Sequence, residues 1–64
     1  MGIFEIFEDN GGKFRWRLKA PHGETVATSE AYLSKRGCQN GIDGVKQFAP
    51  DAQMVDLTLL KSGN

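Results

Sequence analysis

The sequence predicts an α+β fold. It reads as an antiparallel three-stranded meander, one helix covering it and a fourth strand after the helix, a β-β-β-α-β unit. Three observations carry this. Lys13 to Lys19 alternates basic and apolar residues without a break, the period of a strand with one wet face and one dry face. Two glycine-ended turn segments, Asn10-Gly11-Gly12 and Pro21-His22-Gly23, bracket that strand. Cys38, Ile42, Val45 and Ala49 then recur at helical spacing.

The first strand is Phe4-Glu5-Ile6-Phe7-Glu8 and the third is Glu24-Thr25-Val26-Ala27-Thr28. A three-residue hairpin loop commonly ends in a left-handed glycine. Applied to the loop 10–12, this rule pairs Asp9 with Lys13, Glu5 with Arg17, Ile6 with Trp16 and Phe4 with Leu18. Applied to the loop 21–23, it pairs Ala20 with Glu24, Leu18 with Val26 and Trp16 with Thr28. Phe4, Ile6, Phe14, Trp16, Leu18 and Val26 then share the dry face, while Lys13, Arg15, Arg17 and Lys19 share the wet one. A loop at 9–11 also keeps the faces, so the exact first pairing stays open.

Ser34 is the expected N-cap of a helix running from Lys35 to Ala49, which Pro50 stops. Lys35, Arg36, Gln39, Asn40, Asp43, Lys46 and Gln47 lie opposite its apolar stripe. Gly37, Gly41 and Gly44 interrupt the helix, each at up to about 1 kcal/mol relative to alanine. With Phe48 they line a strip beside the stripe. Either another backbone, of the sheet or of a second helix, approaches the helix there, or the helix tolerates them. Met54 to Leu59 alternates again and reads as the fourth strand, with Val55, Leu57 and Leu59 on one side.

Sixty-four residues allow one domain, placed at residues 1–60 with a disordered tail at 61–64. A chain this short buries only about 60% of its unfolded surface. Small domains usually recruit a disulfide, a metal or a partner chain. One cysteine makes no internal disulfide, and one His with one Cys cannot fill a tetrahedral zinc site. Association with a second copy is the staple left. Val55, Leu57 and Leu59 are the candidate dimer strand, either exchanged between copies or packed in cis. Exchange would bury an apolar row and cover strand edges.

Eight basic residues balance eight acidic ones, which argues against a dedicated nucleic-acid binder. No apolar run reaches the roughly 18–20 residues of a membrane span. The start, Met-Gly-Ile-Phe-Glu, lacks the pattern of a secretory signal, and with the lone thiol this points to the cytoplasm. Partners other than a second copy are not foreseen: no membrane, no metal and no cofactor.

Phe7 beside Lys13, Arg15, Arg17 and Lys19 on an uncovered sheet resembles platforms for single-stranded nucleic acid. The competing reading is a solvated face ion-paired to Glu5 and Asp9. Trp16 belongs with the core by parity. Cys38 starts near a helix N-terminus but lies in the apolar stripe, and His22 sits in a remote turn, so no thiol–imidazole pair is foreseen. The carboxylates are scattered, and Gly11-Gly12 precedes a strand rather than a helix, which excludes a phosphate loop. The chain is not expected to be an enzyme.

The runs Phe14-Arg15-Trp16-Arg17-Leu18-Lys19-Ala20 and Gly23-Glu24-Thr25-Val26-Ala27-Thr28-Ser29-Glu30 resemble the repeat unit of the YegP-like family. So do Tyr32-Leu33-Ser34-Lys35 and Gly41-Ile42-Asp43-Gly44-Val45-Lys46. The resemblance covers roughly residues 3 to 50. It implies β-β-β-α-β units that occur as tandem repeats or as two subunits, joined in one sheet by exchanged C-terminal strands. For a single unit it implies a homodimer. It implies no activity, catalytic residue or cofactor, because the family is one of unknown function. The C-terminal stretch matches it least.

Overall fold

A computed structural model describes residues 1–60. The order is β1 (Ile3–Glu8), β2 (Phe14–Lys19), β3 (Thr25–Thr28) and α1 (Lys35–Phe48), followed by short 3-10 turns at Ala49–Asp51 and Leu57–Leu60. The three strands form one antiparallel sheet in the order β1-β2-β3. The tail at 61–64 lies outside the described residues.

The first hairpin follows from its turn chemistry. Gly12 N–H donates to the Asp9 carbonyl at 3.0 Å, and Gly12 adopts φ 78°. That left-handed backbone is where a side chain is strained. Asp9 Oδ1 accepts the N–H groups of Gly11 and Lys13, each at 2.9 Å, so the side chain scaffolds the loop. The register is Phe4↔Leu18, Glu5↔Arg17 and Ile6↔Trp16, as the loop rule requires.

The second hairpin begins as expected and then slips. Gly23 adopts φ 96°, and Ala20 N–H donates to the Glu24 carbonyl at 2.8 Å. Beyond that pair a β-bulge intervenes: Lys19 faces Thr25 but Leu18 faces Ala27. Val26 is the extra residue. It is 56% exposed rather than part of the core, which corrects its assignment to the dry face. The slip brings Ser29 opposite Trp16. Ser29 Oγ accepts the Trp16 N–H and the Ser29 N–H donates to the Trp16 carbonyl, both at 2.9 Å. The chain then pairs Tyr32 with Phe14 through two backbone bonds of 2.7 and 2.9 Å.

Ser34 caps α1, its Oγ accepting the Gly37 N–H at 3.0 Å. The helix buries Cys38 and Ile42 against Trp16, with Phe4, Ile6, Phe14, Leu18, Tyr32 and Val45 packed around them half-buried. Phe4 meets the Trp16 ring edge-on at 5.4 Å and 79°.

Among the described residues the expected fourth strand does not form. Residues 52–56 carry no regular structure and Leu57–Leu60 closes a 3-10 turn, so in this chain Met54–Leu59 is not a strand as the alternation predicts. The segment closes on itself locally instead, with Asp56 Oδ1 accepting the Thr58 N–H at 2.9 Å. The radius of gyration is 14.9 Å, against about 11 Å for a compact chain of this length.

Candidate functional site

Two surfaces collect the residues singled out by the sequence. The first is the open face of the sheet. Cross-strand pairing puts Glu5 opposite Arg17 and Phe7 opposite Arg15. Arg17 Nε donates to Glu5 Oε1 at 2.7 Å, and Lys19 Nζ lies 4.0 Å from the same oxygen. Arg15 Nε donates to Asp9 Oδ2 at 2.8 Å. The Arg17 guanidinium sits 4.9 Å from the centre of the Phe7 ring. All five predicted residues, Phe7, Lys13, Arg15, Arg17 and Lys19, therefore belong to one face. Both arginines and Lys19 already have carboxylate neighbours, whereas no ion pair to Lys13 occurs among the described residues.

The electrostatics follow from these contacts. The Arg17 hydrogen bond, with smaller help from Lys19, holds the Glu5 carboxyl below its ordinary value. The Arg15 hydrogen bond, then the Lys13 N–H, does the same for Asp9. Both carboxylates are structural: one ties two strands together and the other ties a turn to a strand.

The second surface is the segment after α1. Met54 is 94% exposed, Val55 69%, Leu57 64% and Leu59 67%, and none belongs to the core cluster. The residues foreseen as a dimer strand are thus out in solvent and out of strand geometry in the single chain.

Other candidates come to nothing chemical. Cys38 is fully buried, and desolvation pushes its thiol above the ordinary range. His22 Nε2 lies 3.1 Å from Glu24 Oε1 in the exposed turn, away from the core that holds Cys38. Among the described residues there is no cavity and no group of three metal-ligating side chains, and no helix is long and apolar enough to cross a membrane.

One residue was missed in the sequence. Tyr32 lies across the glycine strip of α1, its Cζ 2.8 Å from where a Gly41 Cβ would stand and its Cδ1 3.7 Å from a Gly37 Cβ. The strip therefore marks a close approach by a ring rather than by another backbone. Its three- and four-residue glycine spacing was the available signal. Gly44, at the end of the strip, has nothing within 4 Å.

Fold and faces define a small antiparallel α+β unit with a charged open sheet face and a terminal segment outside its core. The chain belongs to the family described as a domain of unknown function (DUF1508), whose model matches residues 9–56. This agrees with the YegP-like resemblance of the meander and helix. A UPF0339 protein from Treponema denticola is 54% identical over 56 residues, covering 88% of this chain and 97% of the relative. A UPF0339 protein from Stutzerimonas stutzeri is 52% identical over 50 residues, covering 78% of this chain but 45% of the relative. The chain thus spans nearly all of one relative and less than half of the other. The solution NMR structure of a Haloferax volcanii protein superposes with a TM-score of 0.79 at 41% identity, covering 86% of this chain and 93% of that one. The family's description names no catalytic activity.

Proposed function

We propose that this chain is a homodimeric structural or interaction module, completed when two copies exchange the segment that follows α1. One observation carries the reading. Val55, Leu57 and Leu59 form an alternating apolar row that the single chain leaves 64–69% exposed. Fully burying a valine, leucine or methionine side chain contributes about 1.5–3 kcal/mol each. The rest of the fold has room for that gain: only Trp16, Cys38 and Ile42 are buried among the described residues, and only Cys38 fully. The relatives offer support of another kind. The unit fills one chain from end to end and somewhat under half of another, the proportion expected when two units act together. A cytoplasmic setting without catalysis belongs to the same reading, supported by the lone buried thiol.

Deleting residues 52–64 tests it. The truncated chain is expected to lose the dimer by light scattering. A truncated chain that stays dimeric removes the terminal segment from the assembly.

A second reading has one observation in its favour. Lys13, Arg15, Arg17 and Lys19 face outward with Phe7, against only Glu5 and Asp9, an aromatic and cationic excess suited to single-stranded nucleic acid. Retention on single-stranded RNA at low salt, weakening steeply as salt rises, is its expected signature. No retention at low salt ends it.

A further inference from the structure

We infer, resting on the second reading above, that the open sheet face seats single-stranded nucleic acid lengthwise. Its phosphates lie along β2 at Arg15, Arg17 and Lys19, its bases lie over Phe7 and Ile3 of β1, and Glu5 fills the middle of that seat in the free chain.

The register sets out two parallel rows. Ile3, Glu5 and Phe7 of β1 lie directly opposite Lys19, Arg17 and Arg15 of β2, on the face away from α1. The β1 row is apolar except for its middle member, and the β2 row is wholly cationic. The rows stand about 5 Å apart, and the cations recur about every 7 Å along β2. An extended single strand has the same two-sided build, with charge along one side and flat rings along the other. Beyond the cations, Thr28 stands opposite Arg17 and Thr25 opposite Lys19. Hydroxyl side chains are common donors to phosphate oxygens.

Charge and apolar surface together select the occupant. A duplex stacks its bases inside and would leave Ile3 and Phe7 unused. Ile3 is exposed, and the Arg17 guanidinium lies 4.9 Å from the centre of the Phe7 ring. Aromatic rings and guanidinium planes are the surfaces on which unpaired bases stack.

Glu5 is the internal competitor. Arg17 Nε donates to its Oε1 at 2.7 Å and Lys19 Nζ lies 4.0 Å from the same oxygen, so two cations converge on one anionic atom. The Arg17 hydrogen bond holds that carboxyl below its ordinary value, so it is charged at neutral pH. An incoming phosphate meets the same two cations and takes the place of the carboxylate.

Fluorescence anisotropy of a labelled single-stranded RNA of about ten nucleotides tests this. Log affinity is expected to fall with log salt at a slope of about −2 to −3, the value for three or four phosphates. Glu5→Gln, which keeps an oxygen for Arg17 Nε, is expected to bind about two- to fivefold tighter at low salt. Asp43→Asn makes the same change in net charge on α1 and is expected to bind as the unaltered chain does. Phe7→Leu is expected to bind at least about fivefold more weakly at an unchanged salt slope. Binding that Asp43→Asn strengthens as much as Glu5→Gln overturns the seat and leaves the second reading standing. Binding that Phe7→Leu leaves unaltered, or that duplex RNA displaces as well as a single strand does, also overturns the seat. Should Phe7→Leu fail to fold, the duplex competition decides that point alone. No binding at low salt by either the unaltered chain or Glu5→Gln overturns the seat and the second reading together.

Discussion

The Tyr32 ring occupies the space in which a Gly41 side chain would stand, its Cζ 2.8 Å from the position of a Gly41 Cβ. The ring belongs to a residue bridged to Phe14, so it has the sheet behind it. Trp16 Nε1, buried and without a hydrogen-bond partner among the described residues, lies 3.4 Å from the same point. A methyl group here displaces an aromatic ring and presses on a second. Gly41→Ala is expected to destabilise by about 1–3 kcal/mol, as overpacking does, despite alanine's better helix propensity. Urea unfolding monitored by Trp16 fluorescence measures it.

Gly44 is the internal control, because nothing lies within 4 Å of its Cβ position. Gly44→Ala should stabilise the same helix by roughly 0.5–1 kcal/mol through propensity alone. The same unfolding curves check the opposite signs at two positions three residues apart.

Gly12 turns the first hairpin at φ 78°. Alanine there strains the backbone, and Gly12→Ala should cost roughly 1 kcal/mol or more. Gly11→Ala removes no positive φ and should cost less. Thermal melts of the two variants side by side make the comparison.

Acid should loosen the sheet through two named groups. Glu5 and Asp9 carry carboxyls held below their ordinary 4.5 and 3.8 by Arg17 and Arg15. A depressed folded pKa means that the unfolded chain binds protons first. The stabilisation is therefore present above about pH 4.5 and lost as pH falls through the folded values. Melting temperature is expected to be flat from pH 7 to 5 and to drop below pH 4. Asp9→Asn should flatten part of that drop, and added salt should weaken the whole effect because both pairs are exposed. A pH series of melts for the two proteins provides the readings.

Cys38 is fully buried, with its thiol raised by desolvation. Its reaction with a disulfide reagent at pH 7 should be slow and should track opening of the fold, accelerating with urea well before any change in reagent chemistry. Immediate reaction of the native protein would show that α1 does not cover it. Absorbance of the released thiolate follows the rate.

The meander was legible because each of its cues is local. Asp9 and Gly12 define a turn, and the basic–apolar alternation from Lys13 to Lys19 assigns faces that opposite charges then keep in register. The cap at Ser34 was legible for the same reason. Val26 was misplaced because alternation assumes a strict period of two. The slip is set by Ser29, whose hydroxyl takes the Trp16 N–H from outside the strand. Tyr32 was missed because its partner, the glycine strip, is defined by what approaches it. The terminal segment shows the limit most plainly. Val55, Leu57 and Leu59 carry the pattern of a strand, but a pattern does not dictate that a segment pairs, and in the single chain Leu57–Leu60 closes a 3-10 turn instead. Of the open face, the sequence disclosed the residues and the charge pairs, while the stacking of Arg17 on Phe7 needed the geometry.

The most direct measurement is the molar mass of the intact chain by light scattering across a micromolar dilution series. The account predicts twice the 7.0 kDa chain mass, falling toward one chain only at the dilute end. A mass of one chain throughout the series, with a cooperative melt, would contradict it.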